Sequence, residues 1–335
     1  MTDASGFDLQ RLLDHWGLTV DHWEKVGDVY KVDTDQGVKN LKVSVNAPAR
    51  LLFVGHALRH LHAAGFDPMK PLLPTTNGAD YVGAGRFAYS LFDWIPGRQC
   101  DFQNEAELIG CAATLAEFHR KSGGFTPPPN SNAQNELGKC LKRFEKGYRE
   151  LRQFKELAVS RPQDRFARLY LEHSDLFLAM AERAIAKLRR SPYPDLVREA
   201  KAAKTFCHGD PAARNFIVAP DRRIWIIDFD NCRLDLPLID LVRMTRRVLK
   251  KCHWRYRTAQ RLIAAYHAVR PLSDAEIEVM KAVFDFPQKF WRLAVRHFHH
   301  HRQYPADKLG HHFQQYLAEE ADLAAFQAEF ADYSI

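Results

Sequence analysis

The chain has 335 residues, 46% of them hydrophobic and 27% charged, a balance that excludes an intrinsically disordered protein and leaves length for two lobes. Lys and Arg number 48 against 41 Asp and Glu, so the net charge of +7 suits an anionic ligand, although weak contact with nucleic acid or an acidic surface would suit it too. The first residues lack the pattern of a signal peptide, and no apolar run approaches the roughly 20 residues that span a bilayer. The six cysteines are scattered without a C-x-x-C pair, so we expect reduced thiols, synthesis in the cytoplasm and no membrane partner.

The first 94 residues predict a small lobe that contains a sheet. Hydrophobic periodicity and turn residues indicate, in chain order, a helical face, two strands around a turn, a helix and a second hairpin: 8–18, 26–33 with 38–45, 48–65, and 81–92. The mixture of strands and helices is typical of an α+β block.

The pattern changes at Ile95-Pro96-Gly97, and helical spacing dominates from there to the end of the chain. Helices are predicted over 105–121, 136–159, 163–190, 238–252, 255–269, 273–300 and about 310–330. One hairpin, 216–218 with 224–227, interrupts them. The sequence therefore predicts an α+β fold, with a β-rich lobe over residues 1–94 and a mainly helical lobe over residues 95–335.

The strongest candidate for chemistry is His208-Gly209-Asp210, with Asn215 five positions beyond the aspartate and Asp228 at the end of the following hairpin. An Asp and an Asn in one short loop can place both side chains over a small volume, and Asp228 ends an apolar strand. Phosphoryl transfer needs a carboxylate for the attacking hydroxyl and oxygen ligands for magnesium. Each short motif alone is common by chance, but this order and spacing favour a phosphoryl-transfer site.

These motifs resemble the aminoglycoside phosphotransferase and choline kinase superfamily, whose members are relatives of protein kinases. More narrowly, the chain resembles the CotS family of spore coat proteins in the stretches 50–53, 91–98, 100–102, 118–119, 235–240 and 286–291. The resemblance implies a protein-kinase-like fold of two lobes, with ATP and Mg²⁺ as cofactors.

The resemblance also implies roles for single residues. Asp210 matches the catalytic aspartate, which accepts or orients the substrate hydroxyl. Asn215 and Asp228 match the magnesium ligands, and Lys42 matches the lysine that contacts the α- and β-phosphates.

Three further matches concern the frame of the site. The segment Phe92-Asp93-Trp94 matches the hinge between the lobes, where backbone groups receive adenine. Asp240 matches an acidic residue that buttresses the catalytic loop, and His208 is expected to hold that loop through its ring nitrogens.

One departure from kinases concerns the partner of Lys42. Active kinases pair this lysine with a glutamate on the following helix, but the helix predicted over 49–64 contains no acidic residue. We therefore expect Lys42 to contact another group, such as a phosphate. The loop that would cover the nucleotide, 26–30, has a single glycine.

The C-terminal helices carry basic residues and a run of histidines. Lys289, Arg292 and Arg296 are spaced to project together, so we interpret them as contacts for an acceptor that is anionic or rich in hydroxyls. His297 and His301 lack a carboxylate or cysteine that would complete a metal site, which favours a solvated helix face. Charges of both signs alternate along 139–190, which makes a nucleic-acid surface the weaker interpretation.

Two functions follow from the sequence. The first is an ATP- and Mg²⁺-dependent phosphotransferase that acts on a hydroxyl of an unidentified small molecule. The second is a kinase-fold structural component of the spore coat, in which the site serves assembly or nucleotide binding and other coat proteins are the partners. The lack of a helix acid favours the second, and the set Asp210, Asn215 and Asp228 favours the first. An enzyme acting on aminoglycosides is disfavoured, because its acceptor pocket should be strongly acidic.

Overall fold

The computed structural model describes residues 8–45, 47–300 and 306–335. The chain forms two compact units. The first consists of Met1–Asn135 with Lys204–Leu234, and the second of Glu136–Ala203 with Asp235–Ile335. The boundary between lobes at residues 94 and 95 stays a prediction.

All strands in the described part of the chain belong to the first unit. They are β1 (Val20–Val26), β2 (Val29–Thr34), β3 (Gly37–Ser44), β4 (Leu72–Leu73), β5 (Val82–Ala84), β6 (Phe87–Asp93), β7 (Arg98–Gln99), β8 (Phe216–Val218) and β9 (Ile224–Ile226). The helices of this unit are α1 (Leu9–Leu13), α2 (Pro48–Ala63) and α3 (Glu105–Lys121).

The larger sheet is antiparallel, with strand order β1-β2-β3-β6-β4 and with β5 paired to β6. The tight turn between β1 and β2 is made by Gly27, whose φ of +60° favours glycine. The strand β1 was not predicted, because most of its side chains are exposed and three of them are charged, as is usual for an edge strand. In the register of β3 with β6, Lys42 lies opposite Ser90.

The helical face predicted near the start of the chain forms the core beneath this sheet. Its apolar residues pack with Val32, Leu41, Tyr89 and Leu91 from the sheet. The predicted face is therefore confirmed as a buried surface: Leu9, Leu12, Leu13 and Trp16.

The described residues of the second unit form helices joined by turns and loops, with no strand among them. Its helices are α4 (Cys140–Val159), α5 (Arg165–Arg190), α6 (Tyr193–Ala203), α7 (Pro237–Leu249), α8 (Tyr256–Val269), α9 (Asp274–Asp285), α10 (Gln288–Phe298), α11 (Ala306–Leu317) and α12 (Glu320–Ala331). The helix predicted over 273–300 is in fact two, because Pro287 lacks an N–H and restricts the residue before it. None of the helices in residues 8–45, 47–300 and 306–335 has both the length and the apolar character needed to cross a membrane.

The predicted fold class is confirmed. The chain is α+β, with an antiparallel sheet in its N-terminal part and a mainly helical C-terminal part.

Candidate active site

The hairpin of β8 and β9 brings two of the predicted ligands to the same end. Asn215 directly precedes β8. Asp228 follows β9 with one residue between them, and the two strands pair Phe216 with Ile226. The backbone N–H of Ile227 donates to the carbonyl oxygen of Asn215 at 2.9 Å. Asn215 and Asp228 therefore lie close together, although they are 13 positions apart in the sequence.

His208 fixes the loop that carries Asp210. Its Nδ1 accepts the backbone N–H of Asp210 at 3.3 Å, so the ring proton resides on Nε2, which donates to the carbonyl oxygen of Ile227 at 2.9 Å. The ring is fully buried and packs against Phe118 and Phe229. The imidazole thus ties the loop before β8 to the residue before Asp228.

Gly209 allows the sharp turn between these residues. Its φ is +83°, and a Cβ added there would collide with the carbonyl oxygen of Asn231. Any other residue would meet both the unfavourable backbone conformation and this steric conflict.

Asp210 is held by two donors from its own loop. The guanidinium of Arg214 pairs with Oδ2 of Asp210, and the side-chain nitrogen of Asn215 lies 3.3 Å from the same oxygen. That nitrogen also donates to the carbonyl oxygen of Asp210 at 2.8 Å. Arg214 was missed by the sequence interpretation, because charge pairs at a spacing of four are expected on α-helices and this segment is a loop with one short 3-10 turn.

Lys42 has two carboxylate partners. Its Nζ lies 2.7 Å from Oδ1 of Asp228 and 2.9 Å from Oδ1 of Asp230. Burial alone would lower the pKa of Lys42, but the charges of Asp230 and Asp228 outweigh it and raise that pKa. Burial would likewise raise the pKa of Asp228, and the charge and hydrogen bond of Lys42 reverse this and lower it.

The sequence left the partner of Lys42 open, and the structure gives it two carboxylates, whereas contact of Lys42 with a phosphate stays a prediction. The partner comes from the segment after β9, two residues beyond Asp228, and not from helix α2. Asp230 was not among the predicted site residues, although it lies only two positions after Asp228.

Helix α2 contributes a buried arginine to the segment that carries Asp230. Arg50 is 3% exposed and lies in the first turn of the helix. Its guanidinium donates to the carbonyl oxygens of Asp230, at 2.7 and 3.1 Å, and of Cys232, and to that of Asn132 at 3.2 Å. The helix is thereby attached to the backbone that carries Asp230.

The donor set of this site fits a hard cation. Carboxylate oxygens and an amide oxygen are the ligands that Mg²⁺ prefers. The carboxylates of Asp228 and Asp230 (−2) and the ammonium of Lys42 (+1) leave a net charge of −1 in this cluster. The side-chain nitrogen of Asn215 donates to Asp210, so the side-chain oxygen of Asn215 is the atom suited to a metal.

The predicted hinge residues end strand β6. Asp93 pairs with Lys39 at 2.7 Å, and the backbone N–H of Trp94 donates to the carbonyl oxygen of Val38 at 3.0 Å. Phe92 lies opposite Asn40 in the register of the sheet. Contact of this segment with adenine stays a prediction.

The remaining predicted site residues belong to the second unit. Asp240 is fully buried in the first turn of α7, with Arg243 at 3.8 Å. Lys289, on α10, lies 3.8 Å from Glu319, and burial together with the neighbouring Lys250 lowers its pKa to about 8. Arg292 and Arg296 lie further along the same helix. The roles of these four residues stay predictions: Asp240, Lys289, Arg292 and Arg296.

The interpretation of the histidines as a solvated face is wrong for His297. This residue is buried, its Nε2 lies 2.7 Å from Oδ2 of Asp164, and its ring stacks on Phe166. The carboxylate that pairs with it lies 133 positions earlier, so helical spacing could not reveal it. His301 lies outside the described residues.

Known proteins resemble the chain over most of its length. Residues 26–272 match the phosphotransferase enzyme family. Spore coat protein S of Bacillus subtilis (strain 168) is 28% identical over 300 residues, which cover 87% of this chain and 84% of that protein. Its similarity confirms the predicted resemblance to spore coat proteins.

Solved structures share the fold. The aminoglycoside phosphotransferase from Alicyclobacillus acidocaldarius subsp. acidocaldarius DSM 446 superposes with a TM-score of 0.86 at 24% identity, over 97% of this chain and 96% of that one. Amicoumacin kinase in complex with AMP-PNP, Ca²⁺ and Ami has a TM-score of 0.57 at 15% identity, over 97% and 94% of the two chains. With the family match extending over most of the sequence, this chain belongs to the phosphotransferase enzyme family.

Proposed function

We propose that this protein transfers the γ-phosphate of ATP, in the presence of Mg²⁺, to a hydroxyl group of a small molecule. The observation that carries the proposal is the convergence of Lys42 with Asp228 and Asp230, next to the hairpin end that holds Asn215. The shared fold with a kinase solved with AMP-PNP and Ca²⁺ supports it.

The nucleotide would be held by groups of the first unit. Asn215 and Asp228 would hold Mg²⁺, which supplies neutralisation of the phosphate charge when bound. Lys42 would contact the α- and β-phosphates, because its ammonium lies beside Asp228, which would hold Mg²⁺, and beside Asp230. The backbone of the segment Phe92-Asp93-Trp94 would receive adenine.

Asp210 would act on the acceptor. As the hydroxyl oxygen forms its bond to the γ-phosphorus, the bond from that phosphorus to the β,γ-bridging oxygen breaks and ADP leaves. The hydroxyl proton passes to the carboxylate of Asp210 and then to solvent. His208 would keep the loop in place through both ring nitrogens, and Asp240 would buttress it.

The acceptor would be a small hydroxyl compound. Lys289, Arg292 and Arg296 are proposed as contacts for it, and the lowered pKa of Lys289 makes this lysine more readily neutral than an exposed one. Replacement of Arg292 or Arg296 by Ala should then weaken the acceptor affinity, and an unchanged affinity would contradict their role.

A second candidate function is a structural role in the spore coat with little or no turnover. The similarity to Spore coat protein S favours it, and it would place the protein in the coat with other coat proteins as partners. The two candidates differ in one measurable property, which is phosphate transfer to an added hydroxyl compound.

Formation of ADP, measured with Mg²⁺-ATP and a panel of hydroxyl compounds, tests the first candidate. We expect acceptor-dependent turnover in the wild type and a loss of about 100-fold or more in Asp210→Asn, which removes the base. Asp175→Asn, at an exposed carboxylate of α5, is the matched control and should keep the activity. Nucleotide binding without turnover on any compound would favour the structural role instead.

A further inference from the structure

The approach to Asp210 is flanked by an arginine for which neither the predicted roles nor the family resemblance accounts. The side chain of Arg214 is 60% exposed, whereas that of its partner Asp210 is 12% exposed. The guanidinium therefore forms the solvent-facing part of the pair, and the carboxylate forms the inner part.

A mainly structural purpose explains this pair poorly. The Arg214 end of the pair is exposed to water, which limits what the pair contributes to stability. The orientation of Asp210 is already supported by Asn215, whose nitrogen lies 3.3 Å from the same carboxylate oxygen. The exposed guanidinium is thus available for a contact outside the loop, because an arginine has five N–H donors and can hold two oxyanions at once.

Two arginines contact the loop of Asp210. Arg233 donates to the carbonyl oxygen of Gly209 at 2.7 Å, next to Asp210 in the chain. The guanidinium groups of Arg214 and Arg233 thus both contact the loop that carries Asp210. The negative charge of Asp228 and Asp230 lies with Lys42, where a magnesium ion would neutralise it.

A hydroxyl that gives its proton to Asp210 must come within hydrogen-bond distance of that carboxylate, and hence close to Arg214. A cationic group beside the hydroxyl would be repelled there, and an oxyanion would form charge-assisted hydrogen bonds. The geometry points to Arg214 as the residue that selects the acceptor, and to an acceptor that carries a carboxylate or phosphate group beside its hydroxyl. This inference rests on the proposed function, whose acceptor class it specifies.

Four probes with the same pair of neighbouring hydroxyls and different charge test this: glycerol, glycerate, glycerol 3-phosphate and 3-amino-1,2-propanediol. Binding to the protein saturated with ADP and Mg²⁺ is measured first, and ADP formation from ATP second. We expect the wild type to favour the anions over glycerol by about tenfold or more and to bind the amine most weakly. The comparison of glycerate with glycerol 3-phosphate distinguishes a carboxylate from a phosphate as the recognised group.

Variants assign the preference to the residue. Arg214→Gln should abolish the preference for anions, Arg214→Lys should keep part of it, and Arg214→Glu should reverse it toward the amine. Arg198→Gln, which removes the same charge from an exposed Arg–Asp pair of α6, is the matched control and should keep the wild-type order. Rescue by lysine and reversal by glutamate are results that a purely structural role would not produce.

Three results would overturn the inference. They are a wild type that prefers glycerol or the amine, an Arg214→Gln variant with an unchanged order of probes, and no binding of either anion at concentrations up to about 50 mM. Failure of the proposed function would look different, because Mg²⁺-ATP would then be neither bound nor turned over, while the anions would still bind the nucleotide-free protein in an Arg214-dependent manner. Transfer to a neutral or cationic acceptor would leave the phosphotransferase in place and remove only the preference for anions.

Discussion

The ammonium nitrogen of Lys42 lies 2.9 Å from Oδ1 of Asp230. Asp230 thus serves as an acidic partner of the strand lysine that does not come from helix α2. Because Asp230 belongs to the same short segment as Asp228, the lysine and the proposed metal ligand are positioned by one piece of backbone. Arg50 attaches that backbone to α2 through carbonyl oxygens.

Replacement of Asp230 by Asn should misplace the Lys42 ammonium. We expect a loss of about tenfold or more in turnover, because small errors in positioning are costly in phosphoryl transfer. Lys42→Met and the double variant complete a cycle in which the two losses should be strongly non-additive. The free energies of unfolding of the same four proteins measure the coupling between Lys42 and Asp230 independently of activity. Additive effects of the two replacements on both turnover and unfolding would contradict the partnership.

Replacement of Arg50 by Met should destabilise the protein. It leaves the carbonyl oxygens of Asp230, Cys232 and Asn132 without this donor, and hydrogen bonds to a charged group contribute about 1.5–3 kcal/mol each. We expect the free energy of unfolding to fall by about 3 kcal/mol in denaturant titration. Arg50→Lys keeps the charge but not the several N–H donors of the guanidinium, so it should recover only part of the lost stability. Equal stability of the Arg50→Met variant and the wild type would contradict this role.

How much of this arrangement the sequence could predict depends on the separation of the partners along the chain. The loop from His208 to Asn215 and the hairpin to Asp228 are local, so their spacing alone indicated a common volume. The buried face of α1 could also be predicted from the sequence, because its apolar residues recur with a period of 3.6 residues.

The contacts that were missed are long-range or lack periodicity. Lys42 and Asp228 are 186 positions apart, and Arg50 and Asp230 are 180 positions apart. A buried arginine that binds carbonyl oxygens leaves no pattern in the sequence, because every residue carries a carbonyl. His297 could not be distinguished from its exposed neighbours, because its partner Asp164 is distant in the sequence and reaches it only in the folded chain.

Replacement of Gly209 by Ala should be far more damaging than the same change at a glycine with similar backbone conformation. Gly124 has φ of +77° and no atom within 4 Å of an added Cβ, so Ala there meets only backbone strain. At Gly209 the Cβ would also collide with the carbonyl oxygen of Asn231. We expect a loss of about 1 kcal/mol at Gly124 and about 3 kcal/mol or more at Gly209, measured by denaturant unfolding. Equal losses at the two sites would contradict the steric argument.

Acid should weaken the pair of Asp164 and His297. Burial would raise the pKa of Asp164, but hydrogen bonds from the backbone N–H of Ala167 and from His297 outweigh it and lower that pKa. A carboxyl whose pKa is lowered on folding stabilises the protein above its ordinary pKa, and this stabilisation is lost as the pH falls through the lowered value.

Wild type should therefore be more stable than Asp164→Asn at pH 7, by less than about 1 kcal/mol because the carboxylate is partly exposed. Asn keeps the capping geometry, so the difference reports the charge. Denaturant titrations should show the gap closing below about pH 4. A gap of the same size at pH 7 and pH 3 would contradict this account.

The most direct test of the central claim is the binding of ATP to the wild type with and without Mg²⁺, followed as the rise in thermal midpoint. A specific site should stabilise the folded protein by about 2.7 kcal/mol at a ligand concentration of 100 times the dissociation constant, which raises the midpoint by several degrees. Chelation of the metal or replacement of Asp228 by Ala should remove most of this rise, whereas Asp175→Ala should keep it. A wild type that Mg²⁺-ATP does not stabilise, or an Asp228→Ala variant with the full metal-dependent rise, would contradict a magnesium–nucleotide site at Lys42, Asn215 and Asp228.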